Sequence, residues 1–246
     1  MVNPVKSILE RGEVSLGGWL NLGSPMAAEM MASCGFDWLA VDAEHSLFDL
    51  NTIADSMRGI EARGCVPLVR VYGHDPVTMA RILDAGAYGI IVPHVSTPEQ
   101  AKELSDSMRY PPVGVRSAGT GRIAAMGDDY RATINDQVLV IPQIEDMEGI
   151  ENAEAILEVD GIDIGFIGPN DLALSMGVES GHPDHEAAIL AVAAAGKATG
   201  KPVGLPIREV EGARKRIEDG FTFIDCCSDL RIMEAGAKAT LSGLRG

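Results

Sequence analysis

The chain is poor in aromatic residues, 4% of 246, and poor in cations, with 20 Lys and Arg against 36 Asp and Glu. A net charge of −16 repels phosphate backbones and anionic lipid surfaces, so neither nucleic acid nor a membrane is an expected partner. Long apolar runs are missing as well. The longest, around residues 187–195, falls far short of the roughly 20 residues that a spanning helix requires. The opening residues MVNPVKSILERGEVSLGG contain no apolar core of a signal peptide, which makes the cytoplasm the expected compartment. Cysteine is scarce: Cys34, Cys65, Cys226 and Cys227 show no CxxC spacing, and adjacent cysteines rarely reach disulfide geometry. They read as buried thiols in a reducing compartment. The only lysines are Lys6, Lys102, Lys197, Lys201, Lys215 and Lys238, none of them at the end of a strand pattern. Schiff-base chemistry and a pyridoxal phosphate site are therefore not expected. Gly119 and Gly121 form a lone GxG with no strand before it, and no Walker sequence is present, so nucleotide binding lacks support.

What the sequence does contain is aliphatic bulk. Hydrophobic residues make up 46%, enough for one domain of barrel size over residues 1–246. Short aliphatic runs recur at residues 16–22, 38–42, 68–72, 89–93, 138–144, 162–167, 202–206 and 222–226. None alternates cleanly with period two, as expected of parallel strands buried on both faces. Stretches with helical spacing lie between them, at 25–32, 50–63, 76–85 and 98–108, several starting near proline and ending at Gly35, Gly64 or Gly86. Eight such repeats predict a (β/α)₈ TIM barrel, with a doubly wound open sheet as the alternative. Residues 110–134 form the one long irregular insertion and are expected on the active-site face.

In a barrel of this kind catalytic residues stand at the carboxyl ends of strands. There the sequence offers Asp42, Glu44 and His45 in VDAEHS, Arg70 in LVRV, Gln143 and Glu145 in IPQIED, and Asn170 and Asp171 in FIGPND. Neighbouring strands lie about 4.8 Å apart, so Glu145 and Asp171 at adjacent strand ends can converge on one hard cation such as Mg²⁺ or Mn²⁺. The alternative is that each caps the helix that follows it. His45 has the chemistry of a general acid or base, or else of an ordinary loop histidine. Arg70 inside an aliphatic strand requires an anionic partner, from the protein or from a substrate.

Taken together, GGWLNLGSP, FDWLAVDAEHS, PLVRV, DPVTMARILDAGAYGIIVPHV, RYPPVGVRS, IPQIED and GIDIGFIGPNDLALSMG resemble the HpcH/HpaI aldolase family of metal-dependent pyruvate aldolases, in order and spacing and over nearly the whole chain. The resemblance implies a barrel of the phosphoenolpyruvate/pyruvate type, assembled as a homohexamer with the terminal helix exchanged between paired subunits. It implies cleavage of a 4-hydroxy-2-oxo acid to pyruvate and an aldehyde through a pyruvate enolate, with Mg²⁺, Mn²⁺ or Co²⁺ as cofactor. Glu145 and Asp171 would bind the cation, and Gln143, Gly168 and Asn170 would contact substrate. His45 would be the base and Arg70 the enolate stabiliser. Asp84 in ILDAG matches the aspartate that raises the basicity of that histidine. The residues themselves place Asp84 at the far end of a helix and leave Asp42 open as the orienting carboxylate. The aldehyde would be held by loops around Trp19, residues 115–121 and residues 206–208, where Arg116 and Arg122 either favour an acidic tail or serve as surface or interface arginines. An oxaloacetate decarboxylase, a CoA-thioester carbon–carbon lyase and a catalytically silent binding barrel are the alternatives.

Overall fold

Strands that show no polar alternation have no face for water, and the structure buries them accordingly: Trp38–Asp42 and Leu139–Ile144 are buried at every position. In the computed structural model, which describes residues 2–245, eight parallel strands close into one barrel in chain order, β8 pairing back onto β1. The strands are β1 Ser15–Leu20, β2 Trp38–Asp42, β3 Val66–Arg70, β4 Gly89–Val92, β5 Leu139–Ile144, β6 Gly165–Ile167, β7 Val203–Pro206 and β8 Phe223–Ser228. The closed barrel settles the alternative of an open sheet.

Around it run α1 Pro4–Glu10, α2 Pro25–Ala32, α3 Leu50–Glu61, α4 Pro76–Asp84, α5 Pro98–Met108, α6 Tyr130–Gln137, α7 Met147–Glu151, α8 Ala153–Glu158, α9 Pro169–Met176, α10 Pro183–Thr199, α11 Val210–Glu218 and α12 Asp229–Arg245. Proline at the first turn starts six of them, because its missing N–H is not needed there and its φ is already helical. Ser24, Asp49, Asp75 and Thr97 accept the free first-turn N–H groups of α2 to α5.

The few large aromatics are spent on the barrel axis. Both tryptophans and two of the five phenylalanines stack there, Trp38 on Phe223 at 4.1 Å and Trp19 on Phe166 at 5.7 Å, with Phe166 edge-on to Phe223. This plug makes the barrel a packed core with a floor, on which polar groups stand at one end only. Gly17 on β1 makes room for it, since a Cβ there would fall inside the Trp38 ring.

Three expectations are corrected. Residues 110–134 connect α5 to β5, so they lie at the end of the barrel where strands begin, opposite the active-site face. They are partly ordered as a 3-10 turn, Gly121–Ala125, followed by α6. β3 starts at Val66 and ends at Arg70, because Gly64, at φ 76, turns the chain straight into pairing with β2; Tyr72 is outside the strand and exposed. Of the cysteines only Cys65 is buried; Cys34 is exposed and Cys226 and Cys227 are half-buried. No helix among the described residues is long and apolar enough to cross a membrane.

Replacement of Gly17 by alanine must displace the Trp38–Phe223 stack. We expect a loss of about 1–3 kcal/mol in equilibrium urea denaturation, the usual cost of overpacking a filled core.

Candidate active site

The carboxyl ends of the strands surround a cavity of about 510 Å³ whose lining includes Trp19, Asp42, His45, Arg70, Gln143, Gly168, Asn170 and Asp171. No lysine is among its lining residues. Of the residues expected at the site, Asp84 and the 115–121 segment with Arg116 and Arg122 lie at the other end of the barrel; the rest are brought to this end.

β2 and β3 pair in a register that sets Asp42 opposite Arg70. The guanidinium grips the carboxylate with two bonds, Nε to Oδ1 at 3.0 Å and a terminal nitrogen to Oδ2 at 2.7 Å, while its other terminal nitrogen lies 3.3 Å from Glu44. It also lies over the Trp19 ring, 5.0 Å from the centroid. Asp42 is 1% exposed. Burial alone would raise its pKa, but Arg70, the His45 main-chain N–H and Trp19 outweigh it and hold the carboxyl below the ordinary range. The same carboxylate accepts the main-chain N–H groups of Glu44 and His45 at 3.2 Å and the Asn21 amide at 2.9 Å. Asp42 thus orients the loop that carries His45 rather than its ring. The nearest carboxylate to the imidazole is Glu44, at 3.9 Å, and the ring is largely open to the cavity mouth. Asp84 sits at the carboxyl end of α4, at the opposite end of the barrel, paired with Arg116 at 2.7 Å. Within one chain it does not meet His45. Arg116 is buried between Tyr110 and Tyr130, and Arg122 pairs with Glu61; neither lines the cavity.

Across the cavity, Glu145 follows β5 and Asp171 lies in the first turn of α9, just after β6. The capping explanation for Glu145 fails, because α7 is capped by Asp146, which accepts the Gly149 N–H at 2.7 Å. α9 has no side-chain cap: its cap residue is Gly168, and Asp171 makes no hydrogen bond or ion pair among the described residues. Glu145 is 3% exposed, with one oxygen bonded to the Gln143 amide and the other accepting the His94 N–H at 2.8 Å. Burial pushes its carboxyl up, and the nearby charge of Asp171 adds to that, against the pull of Gln143 and His94. A side chain at Gly168 would overlap the Glu145 carboxylate, so the glycine keeps this corner open. Two carboxylates near enough to act on each other's charge, with no arginine or lysine paired to either among the described residues, suit a hard divalent cation, which would fill the rest of its shell with water and substrate oxygens. No set of three or more His, Cys, Asp or Glu that could hold a metal ion converges among the described residues.

The strand-end rule also applies to residues the sequence reading passed over. His94, two positions after β4, stands at φ 56, a backbone region few non-glycine residues adopt, and its Nδ1 lies 3.1 Å from Glu145. Asp225 on β8 is wholly inside the cavity floor with one oxygen lacking a hydrogen-bond partner, and burial pushes its pKa well above the usual carboxylate range. Arg208 and Arg231 line the rim, and among the described residues neither takes part in an ion pair. The signal was available for Asp225, a lone acid in an aliphatic run. Arg231 lies a helical turn beyond β8, and only the fold brings it round.

A family model described as HpcH/HpaI aldolase/citrate lyase matches residues 15–234. The chain belongs to this family. This aldolase is 37% identical over 241 residues to a curated 5-keto-4-deoxy-D-glucarate aldolase of Salmonella arizonae, an alignment covering 96% of this chain and 94% of that protein. Its fold superposes on an HpcH/HpaI aldolase/citrate lyase family protein from Burkholderia cenocepacia with a TM-score of 0.95, at 37% identity and with both chains fully covered. An HpcH/HpaI aldolase from Desulfitobacterium hafniense gives 0.92 at 25% identity, over 98% of this chain and 96% of that one. The aldolase is a carbon–carbon lyase acting on a small-molecule 2-oxo acid, and the decarboxylase and CoA-thioester alternatives are not favoured.

Two outcomes follow from the opposite pKa shifts of Asp42 and Glu145. Asp42 has a depressed pKa when folded, so its pairing stabilises above the unfolded value of about 3.9 and that stabilisation is lost as pH falls through the folded value. Arg70→Met, which strands a buried charge, is expected to cost about 3–5 kcal/mol at pH 7 in urea denaturation, with the gap to wild type narrowing below about pH 4. Glu145 has a raised pKa, so its contribution is full below about pH 4.3 and is lost as pH rises. In EDTA, Glu145→Gln should therefore melt above wild type at pH 7 and level with it in acid, as thermal denaturation will show.

Proposed function

We propose that this aldolase cleaves a 4-hydroxy-2-oxo acid to pyruvate and an aldehyde in the cavity above, with Glu145 and Asp171 holding a divalent cation, Mg²⁺, Mn²⁺ or Co²⁺. The observation that carries the reading is the division of this end of the barrel: two carboxylates with no arginine or lysine partner on one side and a rigidly held guanidinium on the other. When bound, the cation supplies Lewis acidity at the 2-oxo group of the substrate. Arg70, held in place by Asp42, presents positive charge where the enolate oxygen forms as the C3–C4 bond breaks, and its two bonds to Asp42 spare it reorganisation during the reaction. His45 takes the proton of the C4 hydroxyl in cleavage and returns it in condensation, with the Glu44 carboxylate 3.9 Å from the ring. Gln143, Gly168 and Asn170 contact the pyruvyl end, and the Gln143 carbonyl oxygen, buried without a partner, is free to accept a bond there.

The relative named for 5-keto-4-deoxy-D-glucarate acts on a substrate with acid groups at both ends. We extend that class to this chain: Arg208 and Arg231 at the rim supply the charge that a carboxylate on the aldehyde fragment requires. A role for Asp84 beside His45 calls for a neighbouring subunit. An assembly of that kind, a hexamer by resemblance, is supported by α12, which is exposed almost throughout and carries Ile232, Met233, Leu241 and Leu244 in the open. The chain would act as one aldolase unit from end to end, and its four unbridged cysteines suit the cytoplasm.

Pyruvate release, coupled to lactate dehydrogenase, from 4-hydroxy-2-oxo acids of graded length tests the reading. Turnover should depend on added Mg²⁺ or Mn²⁺, vanish in EDTA, and fall by 100-fold or more in Glu145→Ala. Pyruvate release indifferent to EDTA and to the substitution, or no release from any member of the series, overturns it.

A further inference from the structure

β8 places an acid on a face otherwise built from rings. Phe223 points to the barrel axis, stacked on Trp38 at 4.1 Å, and Asp225, two residues on and therefore on the same face, lines the cavity. Its carbonyl accepts the Ile207 N–H at 2.7 Å in the pairing with β7, but Oδ1 of its side chain is buried with no hydrogen-bond partner. Strand register explains the lack. The residues level with Asp225 are Gly17 on β1 and Pro206 on β7, the first without a side chain and the second without a donor. A carboxyl group only 7% exposed and left unpaired in this way is costly, and the aldol steps described above make no use of it. Burial, with Cys226 adding to it, raises its pKa well above the usual range, and the Cys227 N–H, Arg231 and Arg70 pull only part of the way back. A neutral carboxyl offers one donor beside its acceptors, the complement of a hydroxyl. Arg70, Arg208 and Arg231 line the same cavity, so an ammonium ligand would be repelled and a carboxylate would have guanidiniums as better partners.

Glu145 and Asp171 follow β5 and β6, whereas Arg208 and Arg231 follow β7 and β8. A carbon chain running from the two carboxylates to the rim arginines crosses the cavity on the β8 side, above Asp225. Resting on the cleavage reading above, we propose that Asp225 is a specificity-determining residue whose side chain hydrogen-bonds a hydroxyl on C5 of the substrate, the carbon next to the aldehyde carbon of the released fragment. The enzyme then selects hydroxylated aldehydes over their deoxy counterparts. A buried polar group built to meet a hydroxyl rejects the analogue without one, because that analogue leaves the group unpaired.

Condensation of pyruvate with glycolaldehyde and with acetaldehyde, in added Mg²⁺, compares two aldehydes that differ only in that hydroxyl. Asp225→Leu and Asp225→Ala should each lower the glycolaldehyde-to-acetaldehyde ratio of kcat/KM by about 10-fold or more, the worth of one hydrogen bond whose loss strands a buried group. Asp225→Asn, which keeps a donor and an acceptor, should lower it less. Calorimetry with glycerate and 3-hydroxypropanoate, which differ in the same hydroxyl, reads the subsite without turnover. Wild type should prefer glycerate, and the Leu and Ala variants should lose the preference. Oδ1 has no partner in the chain to lose, so both variants should also melt at or above wild type. An unchanged ratio in both variants, with the two aldehydes falling together or not at all, overturns the assignment. So does a wild type without a glycerate preference, or failure of both variants to fold, which would make the carboxyl a structural group. No condensation with either aldehyde, beside a glycerate preference that depends on Asp225, upholds the subsite and overturns the cleavage reading alone.

Discussion

The ion pair between Asp42 and Arg70 is the constraint around which one half of the cavity is arranged. A guanidinium on a barrel strand would be costly without a partner, and a carboxylate at 1% exposure would be costlier still; in register on neighbouring strands, each offsets the other. The pair then organises what surrounds it. Asp42 has acceptor capacity left after Arg70, and spends it on the N–H groups that fix the loop bearing His45 and on Asn21 from the end of β1. Arg70 retains a terminal nitrogen toward Glu44 and a face over Trp19. Strand register, loop shape and the aim of the charge toward the cavity follow from one bidentate contact.

The opposite wall shows the reverse design. Glu145 is as buried as its counterpart, yet the groups that meet it are an amide, a main-chain N–H and an exposed histidine, and its carboxylate neighbour raises rather than lowers its pKa. Such a site is poor for stability and good for binding a cation, because a hard cation relieves the burial cost and the mutual repulsion together. His94, strained at positive φ to hold one oxygen of Glu145, fits the pattern in which backbone strain gathers where a ligand is held. The two sides together present a held guanidinium and a pair of carboxylates without an arginine or lysine partner across a floor of stacked aromatic rings. That polarised geometry suits a reaction that builds charge on one oxygen of a small acid.

The wall between them, on β8, is where regular strand geometry gives way. Asp225 sits in the floor with an unpaired oxygen, and the bulge that follows it sets Cys226 and Cys227 opposite the single residue Gly18. Neither feature serves barrel closure, since a run of aliphatic residues would pair with β1 equally well. Asp225 is a chemical group placed where a ligand in the cavity would meet it.

Much of this was legible from residue order. Doubly buried parallel strands leave an unbroken aliphatic signature, and a polar residue interrupting its end has few reasons to be there. Arg70, Glu145, Asp171 and His45 all announced themselves in that way, and β2 was bounded correctly at Trp38–Asp42. The choice between Glu145 as a cap and Glu145 as a ligand was not legible, since Asp146 is equally well spaced and only the bond to Gly149 decides between them. Nor was the side of the barrel on which residues 110–134 lie, because an insertion reads alike before a strand and after one. Asp84 and Arg116 were separable from the cavity only once the barrel had two ends. Local sequence determined the strands, helices and strand-end chemistry, because burial and capping act on neighbours along the chain. The tertiary structure alone decided which charges meet and which cysteines face one way, because register and bulges are set between strands far apart in sequence.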